Sequence, residues 1–163
     1  PESTAKENYT HLVLYTVSSD LVEQTTPAYL PVFDYSETVT SLAFQDLDLD
    51  STHLGGTLLW NAPDPLTHTH HYAVYFSTSS SGVGLSSLGV LEVGTNEIAV
   101  PVDTGISNYT HLVVYTKSTL AEQTTPVAYA LVDTISSVSD IVFPDKDLDA
   151  YEIGGEMNWV APE

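Results

Sequence analysis

The feature that most constrains this chain is an internal repeat with a period close to 100 residues. Residues 8–13, NYTHLV, return as residues 108–113, and residues 23–27, EQTTP, return as residues 122–126. The spacing between the copies shortens by one residue after Asp20. A period of this length is too long for a solenoid repeat and suits one whole small domain. We therefore expect a tandem array of similar domains.

The repeat continues along the chain, because an acidic motif, a Gly-Gly pair and a Trp-x-Ala-Pro motif each occur twice. The first copies begin at Asp46, Leu54 and Trp60, and the second copies begin at Asp145, Ile153 and Trp159. This order predicts the C-terminal part of a preceding repeat at 1–36, a complete domain at 37–134 and the N-terminal part of a following repeat at 135–163. A domain cut in mid-sheet exposes apolar strand edges. We interpret the chain as a window from a longer array; the alternative is that neighbouring chains complete the broken ends.

The charge balance excludes several classes of partner. The chain carries 22 Asp and Glu residues against three Lys and Arg residues, which gives a net charge of −19. Such a chain repels nucleic acid and anionic lipid. The sequence also contains no run of 18 apolar residues, so we expect no membrane insertion. Hydrophobic residues nevertheless make up 42% of the chain, so we expect folded domains and not an acidic disordered tail. Cysteine is absent, which excludes disulfides and thiolate metal sites.

Short strands separated by turn signals account for nearly the whole chain. Residues 70–77, HHYAVYFS, and residues 109–117 have strong β formers on both faces, and no segment has a 3.6-residue apolar period. This spacing predicts an all-β fold of the β-sandwich kind. The sequence has no nucleophile elbow, phosphate-binding loop or HExxH motif, so we expect no enzymatic activity.

Three groups of residues resemble fibronectin type III domains. They are Trp60 followed by Ala62-Pro63, the strand Tyr72–Tyr75, and Pro101 followed by Tyr109. The resemblance implies tandem Ig-like sandwiches, a tryptophan in the centre of the core, and a tyrosine that forms the corner hydrogen bond before strand F. These core-signature roles are carried onto Trp60 and Trp159, and onto Tyr109 and Tyr9. The repeated motifs Asp-Leu-Asp, Leu-Gly-Gly and Trp-x-Ala-Pro are also similar to those in the acidic repeats of very large dinoflagellate-type algal extracellular proteins.

Acidic side chains alternate in both copies of the acidic motif, at Asp46, Asp48 and Asp50 and at Asp145, Asp147 and Asp149. Oxygen ligands at alternating positions are how a calcium-binding loop begins, although Ser51 and Ala150 stand where an EF-hand needs glycine. The fibronectin type III resemblance places Asp103 at the same pole of the domain. We therefore predict calcium at this pole, near the junction with the next domain. The alternative is a solvated acidic loop whose aspartates serve solubility and turn geometry.

Two further features bear on assembly and location. Asn8-Tyr9-Thr10 and Asn108-Tyr109-Thr110 are N-glycosylation acceptor patterns, so we expect attached glycans and a secretory route. Strand 109–117 has apolar residues on both faces, and we assign Leu112 and Val114 to an outward face that a neighbouring chain covers. The alternative is a shifted register or a bulge.

These observations predict an extracellular structural protein. The expected role is a component of a filament, flagellar hair or surface coat, in which sandwich repeats associate laterally with further copies of themselves. A calcium-dependent adhesion or ligand-binding module of a large cell-surface protein is the alternative. A loose calcium buffer or mineral-nucleating matrix protein is a third interpretation, based on the charge alone.

Overall fold

The computed structural model describes residues 4–162, and this part of the chain is all-β. It divides into two compact units, Pro1–Glu37 and Thr38–Glu163. Among the described residues no helix is long and apolar enough to cross a membrane. The strands are β1 His11–Leu14, β2 Ala28–Pro31, β3 Thr40–Phe44, β4 His53–Asn61, β5 His71–Ser77, β6 Ser86–Glu92, β7 Glu97–Gly105, β8 His111–Lys117, β9 Val127–Ala130, β10 Ser139–Val142 and β11 Asn158–Val160.

Strands β3 to β9 form two antiparallel sheets that pack around one core. One sheet has the order β3-β4-β7, and the other has the order β6-β5-β8-β9. The all-β prediction is therefore confirmed, with a sandwich-like arrangement that we call the complete sandwich. Its buried core draws on both sheets and comprises Val39, Phe44, Leu54, Leu58, Trp60, Tyr72, Val74, Phe76, Val100, Leu112 and Val114.

Aromatic residues join the two sheets at the centre and at the edge. Trp60 is 3% exposed, and its ring meets Tyr72 of the other sheet edge-on at 5.5 Å. On the side of the second sheet alone, Tyr109 before β8 stacks on Phe76 of β5 with the ring centres 5.5 Å apart. Within residues 4–162 the Tyr109 hydroxyl does not make the expected corner hydrogen bond; the hydroxyl of Tyr129 instead donates to Phe44 O across the sheets at 2.7 Å. Tyr109 thus contributes its ring to the core, and β9 supplies the polar link.

The sequence repeat is also a structural repeat. In the first unit, His11 pairs with Pro31 and Leu12 with Leu30, and β8 and β9 have the same register, in which His111 pairs with Ala130 and Leu112 with Tyr129. Strands β10 and β11 likewise reproduce β3 and β4, including the register irregularity between the paired positions. The repeated segments therefore share their strand pairing, although β11 covers only the last three residues of the segment that matches β4.

What differs between copies is burial. Tyr9 and Trp159 are 68% and 56% exposed, whereas the ring of Tyr109 packs on the core and Trp60 lies inside it. Strands β1 and β2 form a sheet of two strands, and so do β10 and β11. The core-signature residues of these partial copies thus have the local structure of the repeat without its packing.

The structure corrects the assignment of Leu112 and Val114 to an outward assembly face. Both side chains are fully buried in the core between the sheets. The outward face of β8 instead carries Val113 and Tyr115, which form a second buried cluster with Ala73. The chain itself contributes to covering this cluster, and the β5–β8 register runs without a shift. Apolar residues on both faces of β8 therefore do not indicate a surface left for a neighbouring chain.

Two loops approach this second cluster from the same sandwich. The hydroxyl of Tyr75 donates to Glu122 Oε2 at 3.2 Å, and the backbone at Gly82 lies so close to the Tyr115 hydroxyl that a Cβ at this glycine would collide with it. Gly82 also has φ +81°, a conformation that favours glycine. Burial, followed by the nearby charge of Glu122, raises the pKa of both Tyr75 and Tyr115.

Candidate functional site

The residues 46–55, which we call the acidic loop, connect β3 to β4 and are organised by carboxylates. Asp46 is 5% exposed, and its Oδ1 accepts hydrogen bonds from the backbone N–H groups of Asp48 at 3.1 Å and Gly55 at 2.9 Å. The loop closes further through Leu47 N–H, which donates to Gly55 O at 2.7 Å. Asp46 therefore holds together the two ends of the acidic loop.

The Gly-Gly pair allows this closure. A Cβ on Gly56 would collide with the backbone oxygen of Gln45, and a Cβ on Gly55 would come within 3.1 Å of Val102 Cα. The second repeat has the same geometry, because a Cβ on Gly155 would collide with Pro144 O. The return of this dipeptide in both repeats therefore has a steric reason.

Asp48 connects the acidic loop to β7. Its Oδ1 accepts from Asp50 N–H at 3.0 Å, and its Oδ2 accepts from Asp103 N–H at 2.7 Å. Asp103 has φ +59°, and it lies next to the register irregularity between β4 and β7. The N–H groups of Asp50 and Asp103, in that order, hold the pKa of the Asp48 carboxyl below its usual range, and His53 adds a smaller effect in the same direction. The sequence prediction that Asp103 lies near the acidic loop matches this geometry.

The segment that leaves β9, residues 133–136, is bound to the acidic loop, and we call it the exit segment. Thr134 N–H donates to Asp46 Oδ2 at 2.9 Å, and Thr52 N–H donates to Asp133 Oδ2 at 2.8 Å. Ser136 N–H donates to Leu49 O at 3.2 Å. Three hydrogen bonds therefore fix the path of the chain as it leaves the complete sandwich. Two of them use carboxylates, and charged acceptors make the stronger hydrogen bonds.

Three carboxylates converge at the surface of this pole. Oxygens of Asp48, Asp50 and Asp103 all lie within 4.8 Å of one another. Oxygens on opposite sides of a calcium ion are separated by about 4.8 Å, twice the usual bond length of about 2.4 Å. These three residues could therefore hold a metal ion, whereas Asp46 lies outside the cluster and accepts three backbone N–H groups.

The acidic loop recurs in the partial repeat at the C-terminal end. Asp145 Oδ1 accepts from Asp147 N–H at 3.0 Å and from Gly154 N–H at 2.9 Å, and Asp149 N–H donates to Asp147 Oδ1 at 2.9 Å. The N–H groups of Gly154 and Asp147 lower the pKa of Asp145. This copy also brings three carboxylates together, those of Asp147, Asp149 and Glu152.

Sequence reasoning missed Glu152 and two of the residues of the exit segment, Asp133 and Thr134. Glu152 stands at the repeat position of His53, so the first copy of the repeat gives no sign of a carboxylate there. Thr134 contributes a backbone N–H, for which the sequence carries no signal. Asp133 matches Asp34 in the preceding copy, and that recurrence was the available clue.

Both glycosylation acceptor asparagines lie in exposed turns. Asn8 and Asn108 are each the third residue of a hydrogen-bonded turn before a short hairpin, in which Tyr9 N–H donates to Lys6 O and Tyr109 N–H donates to Ile106 O. The hydroxyls of Thr10 and Thr110 lie 2.9 and 2.7 Å from the neighbouring histidine Nδ1 atoms. The two acceptor sites therefore share one local structure, on a surface that a glycan can reach.

The lowered pKa of Asp48 predicts how stability depends on pH. A carboxyl whose pKa is lower in the folded state stabilises the fold above its usual value of about 3.9, and this contribution is lost as the pH falls through the folded value. We expect Asp48→Asn to lower the melting temperature at pH 7 and to flatten its decline below about pH 4. Thermal melts between pH 7 and pH 2 measure both effects. Asp50→Asn is the matched control, since no N–H group in the described part of the chain donates to its carboxylate; an equal flattening in that variant would contradict the prediction.

Comparisons with protein-family models, with curated proteins and with solved structures give no match. The fold and site by themselves define an all-β, antiparallel domain with an acidic pole that binds its own exit segment.

Proposed function

We propose that this chain is part of an extracellular structural array, built from tandem sandwich repeats whose junctions are held in a fixed direction. The observation that carries the proposal is the binding of the exit segment to the acidic loop, through Asp46 and Asp133. A repeat that serves only as a flexible spacer needs no such attachment. The recurrence of the acidic loop at 145–154, with the same internal hydrogen bonds, supports the same role in the next repeat.

The mechanism is mechanical. Each sandwich acts as a stiff unit, and the hydrogen bonds from the exit segment limit the directions in which the following repeat can leave. The fibronectin type III resemblance fits this picture, because the order β6-β5-β8-β9 puts the strands that the resemblance would name C, F and G in one sheet. Further copies of the same chain are the proposed partners in a filament, flagellar hair or surface coat.

Electron microscopy of the native material tests this function. We expect filaments or rods with an axial step of roughly one sandwich domain, about 35–40 Å for strands of this length with their loops. Flexible strings of beads would contradict the structural function. They would favour the adhesion module, in which each domain acts alone at the end of a mobile tether.

We further propose calcium as the ion for the cluster of Asp48, Asp50 and Asp103. Calcium accepts six to eight oxygen ligands, so three carboxylates together with backbone oxygens and water form a suitable shell. The two oxygens of Asp48 each retain a lone pair beyond the N–H group that they accept. An ion there would also offset the mutual repulsion of three negative charges at the pole.

Calcium is expected to raise the melting temperature of the chain by about 5–10 °C at a tenfold excess over its dissociation constant. The double variant Asp50→Asn with Asp103→Asn removes two ligands while keeping the backbone N–H groups that donate to Asp48, and it should abolish the rise. A control pair, Asp20→Asn with Glu97→Gln, removes the same charge elsewhere. A calcium response that survives in the first variant excludes this cluster, and loss of the response in both variants indicates loose, non-specific binding.

The glycosylation acceptor sites support the extracellular part of the proposal. Asn108 lies in an exposed turn of the complete sandwich, and Asn8 occupies the same place in the first unit. N-linked glycans at these turns would keep one end of each repeat hydrated and would limit lateral contact there. In this proposal, repeats therefore associate through surfaces away from the turns that precede β1 and β8.

A further inference from the structure

The hairpin of β1 and β2 exposes an apolar face, which we call the open hairpin face and define as Leu12, Leu14 and Leu30. Their side chains are 65%, 72% and 63% exposed. The corresponding residues of β8, Leu112 and Val114, are fully buried. A surface of adjacent leucines on a two-stranded sheet is unfavourable in water, and a two-stranded sheet is rarely stable alone.

The structure itself shows what covers such a hairpin. In the complete sandwich, one edge of β8 pairs with β9 and the other edge pairs with β5. There, Phe76 lies opposite Leu112 and Val74 lies opposite Val114. The inward face of β8 and β9 packs into the core with β3 and β4. Strand β1 pairs with β2 in the register that β8 has with β9, and within residues 4–162 no strand pairs with its other edge.

The paired side chains of β1 and β2 have a combined size similar to those of β8 and β9, so the open hairpin face suits the same packing. Val114 lies opposite Val127 in β8 and β9, and Leu14 lies opposite Ala28 in β1 and β2, so a larger residue on one strand is balanced by a smaller one on the other. The loops also match, because Thr16 Oγ1 bonds Gln24 Oε1 at 2.8 Å just as Thr116 Oγ1 bonds Gln123 Oε1 at 3.1 Å.

A polar anchor accompanies the apolar face. In the complete sandwich, Gln123 Nε2 donates to Thr38 Oγ1 at 2.9 Å. This hydrogen bond joins the loop between β8 and β9 to the residues that precede β3. Gln24 is the equivalent of Gln123 in the first unit and offers the same amide. The difference lies at Leu30, which replaces Tyr129 and lacks the hydroxyl that donates to Phe44 O.

We propose that the open hairpin face is a docking surface for a five-stranded segment of the same kind of repeat, equivalent to residues 38–107. The partner contributes a β5-like strand to the edge of β1 and a β3-β4-β7 sheet to the open hairpin face. This inference rests on the proposed function, since it takes the array of like repeats as given, and it names the partner of the first unit. The chemistry of recognition is strand pairing together with burial of Leu12, Leu14 and Leu30.

A chimaera tests the docking directly. Residues 38–107 are placed before residues 8–163, so that Ser107 joins Asn8 as it naturally joins Asn108. We expect amide hydrogen exchange at residues 11–14 and 28–31 to slow by on the order of 100-fold or more relative to the natural chain, because these amides would open only with a cooperative domain. Leu30→Tyr in the chimaera should slow exchange further, since it restores the hydroxyl donor to the carbonyl at Phe44.

The matched control carries Val74→Asp and Phe76→Asp in the added block only, which prevents its β5 from packing and should leave exchange at the natural rate. Unchanged exchange in the unmodified chimaera would overturn the inference. Protection in the natural chain that rises with its concentration would also overturn it, since the partner would then be the open hairpin of a second copy. A protected chimaera together with flexible strings in the electron microscope would leave the docking in place and contradict the proposed function alone.

Discussion

Trp60→Ala is expected to destabilise the complete sandwich by about 3–5 kcal/mol, the usual range for removing a buried Trp or Phe. Trp60 is 3% exposed and meets Tyr72 across the two sheets, so its loss opens a cavity between the sheets. The surrounding residues come from strands fixed by backbone pairing on both sides, and they can close this cavity only in part. Thermal unfolding followed by circular dichroism should show a drop of at least about 12 °C in the melting temperature.

Trp159→Ala is the matched control, because Trp159 occupies the same position in the next copy of the repeat. It is 56% exposed, and the change should alter the melting temperature of the complete sandwich very little. Both variants lose one indole from the same local sequence, so a difference between them measures packing. Equal effects would contradict the assignment of Trp60 to the core.

The strands could be predicted from runs of β formers between turn signals, and the central tryptophan from the resemblance to fibronectin type III domains. Two copies of the same pattern separate the positions that must stay alike, such as Trp60 and Trp159, from those that vary. The face on which Leu112 and Val114 point could not be predicted in this way. Alternation assigns faces only when one face is polar, and β8 is apolar on both because the chain's own loops help to cover its outer side.

The acidic loop shows a second limit of sequence reasoning. The spacing of Asp46, Asp48 and Asp50 is equally suited to metal ligands and to acceptors of backbone N–H groups. The structure assigns Asp46 to the second use through three backbone N–H groups, of which that of Thr134 lies far along the chain. Asp48 serves β7 in the same way, through Asp103 N–H. Backbone donors have no residue signature, so only the fold reveals which carboxylates they engage.

Asp46→Ala is expected to destabilise the complete sandwich by about 3 kcal/mol, the second large effect. The change removes one buried carboxylate that accepts from Asp48, Gly55 and Thr134. Each N–H group left without an acceptor inside the fold costs about 1–3 kcal/mol, and water entering the loop offsets part of this. The exit segment should also loosen, so amide exchange at Thr134 and Ser136 should accelerate more than exchange in β5.

Asp145→Ala removes the equivalent carboxylate where it is exposed, and it should leave the melting temperature of the complete sandwich unchanged. Asp46→Ala measured in calcium and again in chelator then separates the two uses of the acidic loop. An equal loss of stability in both conditions fits a carboxylate that holds backbone groups, with any ion bound separately at Asp48, Asp50 and Asp103. A loss confined to calcium would mean that Asp46 acts through the ion, and the hydrogen bonds to the exit segment would then contribute little to the stiffness of the junction.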